Sequence, residues 1–248
     1  MLPESLTTPK AMLTLGDGSL LSHVLERISF IPQLETVYAS FGHLHECIIP
    51  HFVNVTHELG ISSHYYIDER LPGTAYWLFH DDFVNATIDE EYLWVSTVDN
   101  GMQINFEHVL DEYEELGKPA ALIVPVHPSQ ISPEADFFMG RQHASSLLVE
   151  KMLQRHHCVT QGTLNQAFMA SGLQLINPKK IRLLTAHQHF DCFRQLWEFL
   201  IQKQALYISR TTPINWCKID SIDEWHQENI RYNDGKSAFE LITPKGSS

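Results

Sequence analysis

Between Tyr92 and Leu116 the chain reads YLWVSTVDNGMQINFEHVLDEYEEL, the stretch around which the rest is organised. Tyr92 to Val98 is dense in aromatic and β-branched residues, the composition of a buried strand. Asp99-Asn100-Gly101 follows as a turn signal, because Asn and Gly tolerate left-handed backbone angles. Phe106, Val109, Leu110, Tyr113 and Leu116 then recur at helical spacing, with Gly117 as the stop. The pattern puts a carboxylate, Asp99, at the carboxyl end of a strand and ahead of a helix, where open α/β sheets bind their ligands. Shaping the turn is the simpler duty for such an aspartate, so its role depends on what the rest of the chain offers.

The rest of the chain repeats this alternation. Ser19 or Asp17 caps a helix marked by Leu20, Leu21, Val24, Leu25 and Ile28. Glu35–Ser40 reads as a strand, His43–Phe52 as a helix with Pro50 near its end, and Ile61–Ile67 as another strand. Arg70–Gly73 is a turn, and a helix opens within Thr74–His80. Ala120–Val126 (AALIVPV) is a continuous apolar run of strand length. His127–Gln142 reads as loop, and Leu147–Ile176 mixes strand and helix signals. Phe190–Ile201 forms a late helix, Ala205–Ser209 a strand, and Glu224–Ile230 a last short helix. Strands alternating with helices at this interval predict an α/β fold with a mainly parallel, mixed sheet flanked by helices in three layers. No internal repeat or linker divides the chain, so residues 1–248 read as a single domain, with 231–248 as a C-terminal tail.

Charge and cysteine usage narrow the function. A net charge of −13, with only 17 Lys and Arg, argues against a nucleic-acid partner. Cys47, Cys158, Cys192 and Cys217 form no CxxC pair, a poor zinc or disulfide pattern. No apolar run approaches the ~20 residues of a membrane helix, and no signal-peptide core opens the chain. Without an export signal the sequons at Asn54 and Asn85 carry no weight, and the chain reads as cytoplasmic. The fifteen histidines include the pairs His43/His45 and His187/His189, at a spacing that puts no two rings on one helix face, and they read as surface or packed residues. Oligomeric state is left open.

Six short motifs, in order, resemble those of the nucleotidyltransferases that make sugar nucleotides from a nucleoside triphosphate and a sugar 1-phosphate. LTTPKAMLTLGDGSLLSHVLERI is similar to the family's PK-containing loop and first helix, ERLPGTA to its loop beside the nucleobase, and TVDNG to the strand end with a metal-binding aspartate. Glu150-Lys151 resembles the pair that contacts the sugar phosphate, SGLQLINP the sugar-side strand, and WCKIDSIDEW the closing segment with a second metal aspartate. The resemblance implies a Rossmann-like nucleotidyltransferase fold. It implies that Lys10 meets the triphosphate and Lys151 the attacking phosphate, and that Asp99 and Asp220 hold Mg²⁺. By the same resemblance Glu69, Gly73, Thr74 and Ala75 bind the nucleotide, and Glu150 and Gly172 the sugar phosphate. The substrates would be a nucleoside triphosphate and a small phosphorylated compound, with no membrane partner. Such chemistry asks for alignment of two polyanions and neutralisation of spreading charge rather than covalent catalysis.

Two departures accompany the resemblance. No G-x-G-x-R precedes Lys10, so the family's opening strand and phosphate nest have no counterpart in the sequence. Losing an interior strand leaves two unpaired sheet edges, and Ser237–Thr243 (SAFELIT) is strand-like enough to fill the gap. Second, Lys218 stands two residues after Trp216, where relatives place the metal aspartate. Asp220 lies two residues further on, on the same face of an extended segment. Either Asp220 takes over as ligand or Lys218 replaces the metal's charge. The competing readings are a catalytically silent relative that binds a ligand or partner, a nucleotide-sugar-dependent glycosyltransferase and a plain structural α/β domain.

Overall fold

A computed structural model describes residues 8–69, 73–126, 136–143, 146–153, 167–186 and 188–240. The chain's contacts gather into two compact units. Met1–Leu71, Val98–Phe106 and Ile214–Ser248 make the first, and Pro72–Thr97 with Glu107–Pro213 the second. No helix among the described residues is long and apolar enough to cross a membrane.

The first unit opens with a short 3-10 turn, Lys10–Met12, and the two-residue strands β1 (Thr14–Leu15) and β2 (Gly18–Ser19), paired antiparallel. Helix α1 (Leu20–Ile28) starts where Ser19 and Ser22 form a reciprocal capping box, so Ser19 and not Asp17 is the cap of the two candidates. Its apolar residues serve two clusters. Leu20 and Val24 pack with Leu13, Leu15, Cys217 and Ile219, while Leu21 and Leu25 pack with Phe41, Ile48, Phe52 and Val55. Strands β3 (Thr36–Phe41) and β4 (Ser62–Ile67) pair in parallel through the crossover helix α2 (His45–Glu58). That helix runs six residues past Phe52, the expected end, so Pro50 removes a ladder donor from its first half instead. Strands β6 (Asn100–Gln103) and β12 (Asn215–Lys218) form an antiparallel pair, and α7 (Ile222–Asn233) follows.

Asn100-Gly101 therefore lies in a strand, and the turn falls one step earlier, at Val98-Asp99. Pairing with Lys218 and Cys217 outweighs the local preference of the Asn-Gly dipeptide. Ser237–Glu240 is not a strand either. Glu228, a buried side chain on α7, accepts hydrogen bonds from Ser237 Oγ (2.6 Å) and Ala238 N (3.0 Å) and draws Ala238 and Phe239 into the core. The remainder of the proposed filler lies outside the described residues. Helix α7 runs through the expected start of the tail at residue 231.

The second unit carries a six-stranded mixed sheet, ordered β5-β10-β7-β11-β9-β8. These strands are β5 (Leu93–Ser96), β7 (Ala121–Val126), β8 (Phe137–His143), β9 (Ser146–Leu153), β10 (Phe168–Ile176) and β11 (Leu206–Ile208). Strand β7 is buried along its whole length, which is why its sequence shows no polar alternation. Pro125 sits in it opposite the start of an irregularity in β10, between Ala170 and Gln174, where a missing donor is tolerated. The helices are α3 (Asp81–Ala86), α4 (Phe106–Glu115, its first residue in the first unit), α5 (Pro178–Thr185) and α6 (Phe193–Gln202).

The α/β class with a mixed sheet agrees with the expectation from sequence. The expected predominance of parallel pairing does not. Among the described residues of this sheet only β11–β7 is parallel. Residues 137–142, expected as loop, belong to β8, which pairs antiparallel with β9; Arg141, Gln142 and His143 in its second half are polar and exposed, which breaks the apolar signal of the strand. Among the described residues β5 pairs only with β10, and β3 only with β4.

Candidate functional site

In the first unit the β6–β12 ladder sets the site. Its register places Lys218 opposite Asn100, and one step beyond, Ile219 N donates to Asp99 O at 3.0 Å. Asp99 and Asp220, far apart in sequence, are thereby brought side by side. Asp220 also precedes Ser221, the N-cap of α7, where Glu224 closes a second capping box. Glu224 Oε2 accepts from Asp220 N (2.7 Å), Ser221 N (2.8 Å) and Ser221 Oγ (3.0 Å), so the backbone under Asp220 is pinned. Sequence reasoning missed this positioning role of Glu224, although the S-x-x-E pattern that signals it is present.

Lys10 completes the cluster. Held by the 3-10 turn after Pro9, its Nζ donates to Asp99 Oδ2 at 2.8 Å and to Asp220 Oδ1 at 2.7 Å. The other oxygens are also engaged, Asp99 Oδ1 by Asn100 Nδ2 at 2.8 Å and Asp220 Oδ2 by Lys218 Nζ. Burial alone would raise the Asp220 carboxyl, but hydrogen bonds and charge from Lys10 and Lys218 outweigh it and hold the group below its ordinary value.

The oxygens of Asp99 and Asp220 thus converge on one cation position, at present filled by an ammonium. Two carboxylates suit Mg²⁺, which is commonly held by one or two of them together with substrate phosphates. Among the described residues no group of three His, Cys, Asp or Glu side chains forms a metal centre by itself. The donor set therefore fits a metal that arrives with phosphate ligands rather than one caged by protein.

Elsewhere in this unit lies a cavity of about 570 Å³, lined by residues including Asp17, His23, Glu26, His51, Glu58 and Glu240. Its carboxylates would repel a triphosphate, and neither Lys10, Asp99 nor Asp220 lines it. Glu69, also in this unit, is exposed, with Oε1 4.0 Å from His45 Nδ1.

The remaining sequence-predicted residues belong to the second unit. Gly73 has φ +130°, and a Cβ there would lie 2.2 Å from Asp191 O. Ala75 N donates to the same carbonyl at 3.0 Å, and Thr74 Oγ1 accepts from Phe193 N at the start of α6. Gly73 and Thr74 thus dock their loop onto 191–193, work that explains both residue types without a ligand. On β9 the register steps from Lys151↔Met139 to Val149↔Gly140, leaving Glu150 as a bulge. The bulge accounts for the exposure of two consecutive residues, Glu150 and Lys151. Glu150 Oε1 pairs with Arg141 Nε at 2.8 Å. Gly172, φ +89°, sits in the irregularity of β10, and its carbonyl accepts from Thr97 N at 3.1 Å.

Glu112 went unnoticed in the sequence. It is buried on α4 and accepts from Ser146 Oγ (2.9 Å), Ser209 Oγ (2.6 Å) and Arg210 N (2.9 Å). This carboxylate ties α4 to strands β9 and β11.

No protein-family sequence pattern matches the chain, and no curated protein matches it in sequence. Solved structures do match in fold. A UDP-glucose pyrophosphorylase complexed with UDP-glucose superposes with a TM-score of 0.71 at 12% identity, over 95% of this chain and 94% of the other. The apo form of a UDP-glucose pyrophosphorylase gives 0.70 with the same identity and coverage. A nucleoside-diphosphate-sugar pyrophosphorylase from Vibrio cholerae RC9 gives 0.57 at 14% identity, over 89% of this chain and 91% of the other. The chain has the fold of these proteins.

Proposed function

We propose that the protein transfers a nucleotidyl group from a nucleoside triphosphate to a sugar 1-phosphate or a similar phosphomonoester. A phosphate oxygen of the acceptor attacks the α-phosphorus, the bond to the β-phosphate breaks, and pyrophosphate leaves. The observation that carries the reading is the meeting of Lys10, Asp99 and Asp220, residues singled out from sequence motifs, in one cluster set by the β6–β12 register. The fold shared with sugar pyrophosphorylases supports it.

Mg²⁺, when bound, would neutralise phosphate charge as it spreads in the transition state. Asp99 and Asp220 would hold it. Lys10 is a mobile-headed point charge able to exchange carboxylate for phosphate oxygens. Asn100 and Glu224 orient the two carboxylates through Asp99 Oδ1 and the backbone of Asp220. To the sugar phosphate the reading gives Lys151, Glu150 and Gly172, and to the nucleotide Glu69, Gly73, Thr74 and Ala75. The protein works in the cytoplasm.

One observation favours a second reading, a silent relative that binds without reacting. Every oxygen of the carboxylate pair already has a donor. Incubation with each nucleoside triphosphate, Mg²⁺ and a panel of sugar 1-phosphates decides between the two. Pyrophosphate release that is lost in Asp99→Asn and Lys151→Ala supports transfer. No release, with no thermal shift from any nucleotide, rejects it.

A further inference from the structure

We propose that Lys10 and Lys218 hold the Asp99–Asp220 pair in a self-neutralised state that resists a bare divalent cation, so that Lys218 sets the metal affinity of the free protein. The inference rests on the nucleotidyl-transfer reading and adds a regulation to that site.

The charges carry the argument. Two carboxylates face two ammonium groups, and the four carboxylate oxygens are each supplied with a donor. Lys10 bridges the pair, so a cation entering between the carboxylates must take both of its hydrogen bonds. Lys218 acts differently. It emerges from the last position of β12, two residues before Asp220, and reaches Asp220 Oδ2 from the same side. It therefore stays beside the pair after Lys10 has left, and its like charge weakens any cation held there. Both lysines are only partly exposed, with side-chain exposures of 28% and 36%, so solvent screens this repulsion incompletely. A triphosphate reverses the balance by offering phosphate oxygens to the released Lys10 and negative charge to offset Lys218. Cation and triphosphate binding are then coupled, each strengthening the other.

The test is a titration of the full chain with Mn²⁺ in the absence of nucleotide, followed by the paramagnetic resonance of free Mn²⁺. Lys218→Met keeps the stem and removes the charge, and its affinity for Mn²⁺ is expected to exceed that of the unmutated protein by about tenfold or more. Adding Asp99→Asn to that variant should abolish the gain. Lys218→Gln repeats the comparison with a polar side chain, and circular dichroism confirms that each variant is folded. Equal affinity in the variants and the unmutated protein overturns the proposal, as does no binding by any of them. The outcome is separable from the transfer reading. A tenfold gain without pyrophosphate release in any assay keeps the self-neutralised pair and removes the transferase. Release by a protein whose Mn²⁺ affinity ignores Lys218 does the reverse.

Discussion

Gly73→Ala distinguishes a loop built for docking from one built for a nucleobase. The new Cβ would lie 2.2 Å from Asp191 O and 2.8 Å from Asp191 C, both backbone atoms that cannot rotate away. Ordinary contact begins near 3.4 Å, so the loops must separate by more than 1 Å. A separation of that size breaks the Ala75 N to Asp191 O bond and the Phe193 N to Thr74 Oγ1 bond, at about 1 kcal/mol each. A non-glycine residue at φ +130° adds about 1–3 kcal/mol of backbone strain. The total is about 3–5 kcal/mol. Gly117→Ala in the same unit supplies the control. Gly117 has φ +73°, but a Cβ there would meet nothing within 4 Å, and the substitution should cost only about 1 kcal/mol. In thermal unfolding followed by circular dichroism, Gly73→Ala should lower Tm by roughly 10 °C and Gly117→Ala by roughly 3 °C. Two variants within about 2 °C of each other would refute the clash, and the glycine would then need another reason. A Gly73→Ala protein of full stability and weakened nucleotide binding would supply that reason.

Other perturbations have separate readouts. Glu112→Ala orphans the Ser209 hydroxyl and Arg210 N, while Ser146 Oγ falls back on Ile208 O at 2.7 Å; urea denaturation should show a loss of about 3–5 kcal/mol, and a loss under 1 kcal/mol would mean water satisfies both donors. Ser221→Ala removes the cap of α7 and should cost about 1 kcal/mol in the same assay, whereas Ser221→Asp, which still caps, should cost little. Asp220 is held below its ordinary 3.8, so its contribution to stability is whole above that value and disappears as pH falls through the lower, folded one. Acid unfolding of the unmutated protein should therefore be steeper below about pH 4 than that of Asp220→Asn, and parallel curves would contradict the assignment.

Much of the fold was legible because its signals were local. Ser19 caps α1 through its own neighbour Ser22, and the buried run of β7 has no polar residue to disguise it. The misreadings have a different cause, namely a partner outside the stretch being read. Asn100-Gly101 reads as a turn until β12 arrives to pair with it. Ser237–Glu240 opens a strand-like stretch until Glu228 takes the donors of Ser237 and Ala238. Helix α5 could have been found from its Asn177 cap and Pro178 at the first position, both local signals.

The site divides along the same line. Sequence could propose Lys10, Asp99 and Asp220 as a set, because short motifs mark each one. It could also leave Asp220 and Lys218 as alternatives, since an extended segment puts both on one face. Only the register resolves what they do together: both side chains are present at once, Asp220 gives one oxygen to each ammonium, and Lys10 is shared between the aspartates. The choice framed from sequence, a carboxylate ligand or a cation in place of metal charge, is therefore no choice in the folded chain. A carboxylate that must shed one lysine and tolerate another can hold a divalent cation only against a standing charge. That arrangement gives position 218 control over a step that the two aspartates alone would leave unregulated.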